Sequence, residues 1–138
     1  MSEAENLDLV HKMYVLLNTH NIEGHDMYWT TDMIWHGPPG WDDVHGLAAF
    51  KNEVLRPFFA AFPDYHAINT IEMTNGNMVA ATGYFTGTHS GDWFGVKATG
   101  RKVKGGFSDF WRIENGRLAE NWVMVDMLGI LRQLGVHV

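Results

Sequence analysis

Three carboxylates and a set of large apolar side chains share one stretch of this chain. The stretch runs Glu114-Asn115-Gly116-Arg117-Leu118-Ala119-Glu120-Asn121-Trp122-Val123-Met124-Val125-Asp126. Asn-Gly between two apolar runs is a strong two-residue hairpin signal, because both residues accept positive φ. With Asn115 and Gly116 as the loop, Glu114 faces Arg117, Trp111 faces Glu120, Asp109 faces Trp122, Phe107 faces Met124 and Gly105 faces Asp126. Side chains alternate faces along a strand. One face is therefore predicted to carry Phe107, Asp109, Trp111, Glu120, Trp122, Met124 and Asp126, while Asn121 points away. A purely structural hairpin does not need carboxylates among aromatics. An apolar wall disfavours the charged form of a carboxyl, raises its pKa and makes the anion a better base towards carbon.

The acids have competing readings. Asp126 is a general base in one and the cap of a closing helix in the other, since Asp is favoured at a helix start. Asp109 is a partner for substrate or for a cavity histidine, or else for an arginine or a backbone donor. Glu120, nearer the turn, reads as a cavity-edge or structural residue. His36 ends a strand before Gly37-Pro38-Pro39-Gly40, and His89 ends another before a glycine-punctuated loop. At the mouth of one cavity, either imidazole could hydrogen-bond a carbonyl and stabilise an enolate; each could equally bond only to loop backbone. Together with Asp126 they would make a two-His, one-carboxylate set, but no tight ligand spacing supports a metal and none is expected. Trp35, Trp93, Phe107, Trp111, Trp122 and Met124 are the expected substrate-binding residues, with Trp41 and Phe94 at the rim. Such a lining suits a flat ring compound.

The elements that must position these residues follow from periodicity. Ser2 and Glu5 form a capping-box pattern, predicting a helix from Glu3 with an apolar stripe of Leu7, Val10, Met13, Tyr14 and Leu17. A short helix is predicted from about Ile22 to Tyr28. Asp32 to His36 reads as a short strand, and the Pro-Gly stretch and Trp41–Gly46 as a loop. A helix follows through Leu47, Phe50, Val54, Phe58 and Phe62, which Pro57 should kink or restart. Tyr65–Thr74 and Met78–Thr88 flank a second Asn-Gly signal at Asn75-Gly76. A long loop from His89 to Arg101 precedes the opening hairpin. Met127–Leu134 closes the chain as a short helix, with Leu128, Leu131 and Leu134 one turn apart. Helices first and antiparallel strands afterwards give an α+β fold.

The 138 residues predict a single domain over residues 1–138, long enough for an unstapled core. A net charge of −6 with scattered basic residues argues against nucleic acid or an anionic membrane as partner. The absence of cysteine removes thiolate chemistry and disulfides and fits a cytoplasmic setting. Met-Ser-Glu-Ala-Glu does not read as a signal peptide, and no apolar run reaches the length of a membrane span.

Taken in order, Trp35-His36-Gly37-Pro38, Gly46-Leu47-Ala48-Ala49-Phe50, Ala61-Phe62-Pro63-Asp64 and Gly87-Thr88-His89-Ser90-Gly91 resemble the SnoaL-like polyketide cyclases of the NTF2-like superfamily. So do Ala98-Thr99-Gly100-Arg101, Phe110 to Arg117, Glu120-Asn121-Trp122, Asp126 and Leu131-Arg132-Gln133-Leu134-Gly135. The resemblance implies an NTF2-like cone, with N-terminal helices packed on a curved, mostly antiparallel sheet around an apolar cavity. It implies homodimers through the outer sheet face, where Phe110, Val123 and Val125 are expected. It also implies cofactor-independent aldol-type ring closure of an apolar or aromatic carbonyl substrate, with Asp126 at the position of the general base. Asn121 departs from the family, which commonly carries His there. The same cone hosts isomerases, hydrolases and non-catalytic binders, so those readings stay open.

Overall fold

The computed structural model describes residues 1–138. Helix α1 (Glu3–Asn18) opens with the predicted capping box: Ser2 Oγ accepts from the Glu5 amide, and Glu5 Oε1 accepts from the Ser2 amide, both at 3.1 Å. A 3₁₀ turn (Glu23–Met27) leads into β1 (Trp29–His36), which starts three residues earlier than the sequence pattern suggests. The segment read as loop also contains a two-residue strand, β2 (Val44–His45), paired with Ile34 and Trp35 of β1.

The next helical run is continuous but changes winding. It comprises α2 (Leu47–Ala49), a π-helical segment (Phe50–Leu55) and α3 (Arg56–Ala61). Pro57 lies in the first turn of α3, where its missing N–H costs least, so the helix restarts there as expected. The widened π turn immediately ahead of it carries Phe50, Val54 and Leu55 inward.

Four long strands follow: β3 (His66–Asn75), β4 (Met78–Thr88), β5 (Lys102–Glu114) and β6 (Arg117–Val125). Helix α4 (Met127–Gln133) closes the chain. The sheet order is β2-β1-β6-β5-β4-β3, antiparallel throughout except where β1 runs parallel to β6. The turn between β3 and β4 centres on Gly76 and Asn77, one residue later than predicted. In the β5–β6 turn both Asn115 and Gly116 have positive φ, at 49° and 74°, as an Asn-Gly hairpin requires.

Register shifts interrupt β1–β6, β3–β4 and β5–β6. Each extra residue bends its strand and raises local twist, which curls the sheet around its inner face. Gly83, opposite the β3 shift, makes that bend possible: a Cβ there would lie 1.9 Å from the Ile68 carbonyl oxygen. Helix α1 packs on β3 and β4, and α4 packs on β5. Trp29, Met33, Phe62, Trp111, Leu118 and Ile130 are the largest fully buried apolar side chains. Ile130 of α4 and Leu134 at its C-cap are buried; Leu128 is 57% exposed. No helix is long and apolar enough to cross a membrane.

Candidate active site

Between the inner face of the sheet and the helices lies a cavity of about 800 Å³, counting its open mouth. Of the 21 residues lining it, 18 are hydrophobic, and Asp109 is the only charged one.

Unbroken alternation along β5 puts Val103, Gly105, Phe107, Asp109, Trp111 and Ile113 on the buried face. The reading of that strand from sequence agrees with the structure. Its partner β6 departs from prediction after two pairs. Glu114 faces Arg117 and Ile113 faces Leu118, but Arg112 then faces Glu120, leaving Ala119 without a partner. This single extra residue turns the rest of β6 over. Asn121, Val123 and Val125 line the cavity, whereas Glu120, Trp122 and Met124 do not. The signal was present as Leu118-Ala119, an apolar doublet that breaks the alternation, and both residues are buried.

The inversion redistributes the expected site. Asn121, predicted to face outward, donates from Nδ2 to Asp109 Oδ1 at 3.2 Å and to the Phe110 carbonyl at 3.0 Å. On the other side of the carboxyl, the Tyr14 hydroxyl donates to Asp109 Oδ2 at 2.9 Å. Tyr14 belongs to the apolar stripe of α1; periodicity says that it faces inward, but not what its hydroxyl meets 95 residues later. Asp109 is 6% exposed. Burial pushes its carboxyl from 3.8 up to about 7, and the bonds from Tyr14 and Asn121 offset part of that rise. Burial, then the neighbouring Asp109 charge, drive the Tyr14 phenol well above its ordinary value, so it stays a neutral donor. Near neutral pH the cavity thus holds one carboxyl close to the midpoint of its titration.

Asp126 is elsewhere. It is exposed and caps α4, with Oδ1 accepting from the Gly129 amide at 3.0 Å. A base and an N-cap ask for the same residue type, which is why sequence alone left both readings open. Asp109 and Asp126 therefore do not form a paired-carboxylate site. We expect Asp126→Ala to cost about 1 kcal/mol of stability, as lost caps typically do, and to leave turnover within two-fold. Chemical denaturation alongside a rate assay checks both.

His36 is also outside the cavity, because Trp35 takes the inward position on β1. Its Nε2 is 2.6 Å from Glu120 Oε2 and its Nδ1 is 3.0 Å from Asp43 Oδ2, and its ring stacks on Trp122. Burial lowers the imidazole pKa, but the two carboxylates outweigh it and leave it raised. Glu120 is held below its ordinary value chiefly by His36; burial opposes this, and Arg112 adds to the lowering. His89 is fully buried without lining the cavity. Its Nδ1 accepts from the Thr99 amide at 3.1 Å, and its backbone bonds to Arg101 and Gly100, tying down the base of the long loop. His36, His89 and Asp126 do not gather at one point.

Of the predicted binding residues, Trp35, Trp93, Phe107 and Trp111 line the cavity; Trp122 and Met124 face outward with the inverted strand. At the mouth, Trp41 packs edge-on against Phe94 at 4.6 Å and against Trp35 at 5.5 Å, and Phe94 packs against Trp93 at 4.9 Å. The outer sheet face exposes Phe110 and Met124, at 52% and 62%. Val123 and Val125, expected there, are cavity residues instead.

Comparisons with known proteins agree on the family and the fold. The family described as SnoaL-like polyketide cyclase matches residues 8–134. Aklanonic acid methyl ester cyclase DnrD of Streptomyces peucetius is 29% identical, over 96% of this chain and 92% of its own. Among solved structures, IdmH of Streptomyces antibioticus, a proposed polyketide cyclase, is 28% identical with a TM-score of 0.82, covering 95% of this chain and 99% of its own. AclR of Streptomyces galilaeus, a proposed hydroxylase, is 26% identical with a TM-score of 0.85, covering 97% and 98%.

Proposed function

Because the chain belongs to the SnoaL-like polyketide cyclase family, we propose that it closes a ring in a polyketide-like carbonyl compound by an intramolecular aldol reaction with Asp109 as general base. The observation that carries this is the buried carboxyl with its pKa pushed to about 7, the one charged group on an otherwise apolar wall. The Asp109 carboxylate takes a proton from a carbon made acidic by adjacent carbonyls. The enolate carbon attacks a second carbonyl carbon of the same molecule and forms the new C–C bond. The resulting alkoxide takes the proton back from the Asp109 carboxylic acid, leaving a hydroxyl and the carboxylate as it began. Tyr14 and Asn121 position the carboxyl and tune its basicity. The aromatic walls hold the substrate folded so that the two carbons meet, an orientation effect worth several kcal/mol of barrier.

Aklanonic acid methyl ester, named for the relative DnrD, is the first compound to assay. The rate of closure should rise with pH through about 7 as Asp109 loses its proton. Tyr14→Phe removes a bond that favours the carboxylate, so its rising limb should move to higher pH and its rate at neutral pH should drop. A profile flat from about pH 5 to 9 in both proteins would count against Asp109 as the base.

We also propose a homodimer, with the exposed Phe110 and Met124 of the outer face at its centre. Sedimentation should give twice the chain mass, reduced by half in Phe110→Asp/Met124→Asp; a single-chain mass for the natural protein removes the dimer.

A further inference from the structure

The cavity lining carries two hydroxyl groups, those of Tyr14 and Tyr65. Tyr14 is committed, since it donates to Asp109 Oδ2 at 2.9 Å. The Tyr65 hydroxyl makes no hydrogen bond within the protein, although both peptide groups of that residue are paired. Its oxygen also remains open to a water-sized molecule. The indole nitrogens of Trp93 and Trp111 differ in this respect: they are unpaired but sealed inside the wall. Burial, and after it the Asp109 charge, push the Tyr65 phenol well above its ordinary value. A hydroxyl that protein has desolvated, and that stands in the field of Asp109, opens on the cavity rather than on bulk water.

The phenol is held from several sides. Tyr65 lies between α3 and β3, where its amide donates to the Phe62 carbonyl at 3.0 Å and its carbonyl accepts from His20 Nε2 at 2.9 Å. Its ring packs on Phe58 and Phe85, both at 5.3 Å, and on Phe59 at 5.7 Å. The two Asp109 oxygens already accept from Asn121 and Tyr14, and Tyr65 bonds to neither. Tyr65 is therefore a fixed donor with no acceptor of its own, in the same chamber as the buried carboxyl.

We propose that the Tyr65 hydroxyl is the hydrogen-bond donor to the substrate carbonyl oxygen that gains negative charge during ring closure. A fixed donor in a site shielded from water stabilises such charge strongly, because no solvent shell has to reorganise. The Tyr65 O–H bond stays intact throughout. The carbon-bound proton goes to Asp109 and comes back from it to the alkoxide, while Tyr65 lowers the energy of the oxyanion between those two transfers. The cavity then selects a compound that presents an acidic C–H to Asp109 and a carbonyl oxygen to Tyr65 at once. The effect on rate rests on Asp109 being the base. Donation to a bound carbonyl does not, so a binding experiment without turnover separates the two.

Tyr65→Phe keeps the ring and removes the oxygen. That oxygen bonds to nothing in the protein, so the variant should melt no lower than the natural chain; a drop would mean that the hydroxyl serves the fold and would count against the proposal. With aklanonic acid methyl ester, kcat should fall about a hundred-fold, as on loss of an oxyanion donor, with KM within three-fold. The rising limb near pH 7 should stay in place, because Tyr65 is not among the groups that set the Asp109 pKa. Tyr14→Phe moves that limb, so the profile separates a donor to substrate from a group acting through Asp109. The binding probes are 2-acetylnaphthalene and 2-ethylnaphthalene, which share a ring frame and differ in one carbonyl oxygen. The infrared carbonyl stretch of the 13C-labelled ketone should lie lower in the natural protein than in Tyr65→Phe. The variant should bind the ketone about three- to ten-fold more weakly, as loss of one hydrogen bond does, and the hydrocarbon within two-fold. Failure of the ketone to bind, a carbonyl frequency unmoved by the substitution, or equal losses for both probes overturns the proposal. If the frequency moves while Asp109→Asn retains turnover, the donor stands and the base assignment falls. If Asp109→Asn loses turnover while the frequency stays in place, the base stands and Tyr65 falls.

Discussion

Asp109→Asn should close the ring about a thousand-fold more slowly than the natural chain at pH 8, within the range that removal of a general base produces. The substitution keeps the shape of the side chain. Tyr14 still has an oxygen to donate to, while the amide of Asn121 then faces a second amide nitrogen. The expected structural loss is therefore one hydrogen bond, about 1 kcal/mol. The chemical loss is of a different order, because an amide does not take a proton from carbon at neutral pH. Substrate affinity should change by less than a factor of three, so the effect appears in kcat rather than KM. The decisive comparison is with Asp126→Asn in the same assay. Retention of turnover within five-fold by Asp109→Asn, or a collapse confined to Asp126→Asn, would return the base role to the end of β6.

The same substitution should make the protein more stable in alkaline solution. Asp109 titrates near 7 in the folded chain and near 3.8 when exposed. Below 3.8 both states hold the proton, and the carboxyl contributes no penalty. As pH rises from there towards 7, the unfolded chain releases its proton while the folded chain keeps it, and stability falls. Above about 7 the loss is complete, at roughly 4 kcal/mol on the scale of 1.36 kcal/mol per pKa unit. Asparagine does not titrate. The variant should thus be equal to or slightly less stable than the natural chain at pH 4, and more stable by about 3 kcal/mol at pH 8. Urea denaturation of both proteins across that range measures the difference directly; a difference independent of pH would mean that the carboxyl is not held above its ordinary range. Activity and stability then pull in opposite directions at one atom pair, a common arrangement for catalytic groups.

Much of this site was legible in the sequence, for identifiable reasons. The capping box at Ser2 and Glu5 and the Asn115-Gly116 turn are local, so four or five residues suffice to recognise them. The inward face of β5 was legible because its alternation is unbroken. Its partner strand was not, since a rule of period two carries every side chain beyond an extra residue to the opposite face, and Asn121 was misplaced along with Trp122 and Met124. Tyr14 lay in plain view within an apolar helical stripe. Its partner is set by how α1 lies across the sheet, a tertiary fact that no short window contains. His36 and His89 were read from their positions at strand ends, which says where the backbone stops but not which way the ring turns.

The unpaired Ala119 has a consequence for how such a cavity changes over generations. A strand beyond a bulge has two frames, much as a message does, and the bulge chooses between them. Losing that one alanine codon would remove the bulge and its extra residue together: Leu118 would still face Ile113 and Glu120 still face Arg112, so Asn121, Val123 and Val125 would stay inward. A cone with a bulged wall therefore has a position where a three-nucleotide deletion straightens the strand and leaves its lining, its hairpin turn and Asp109 where they are.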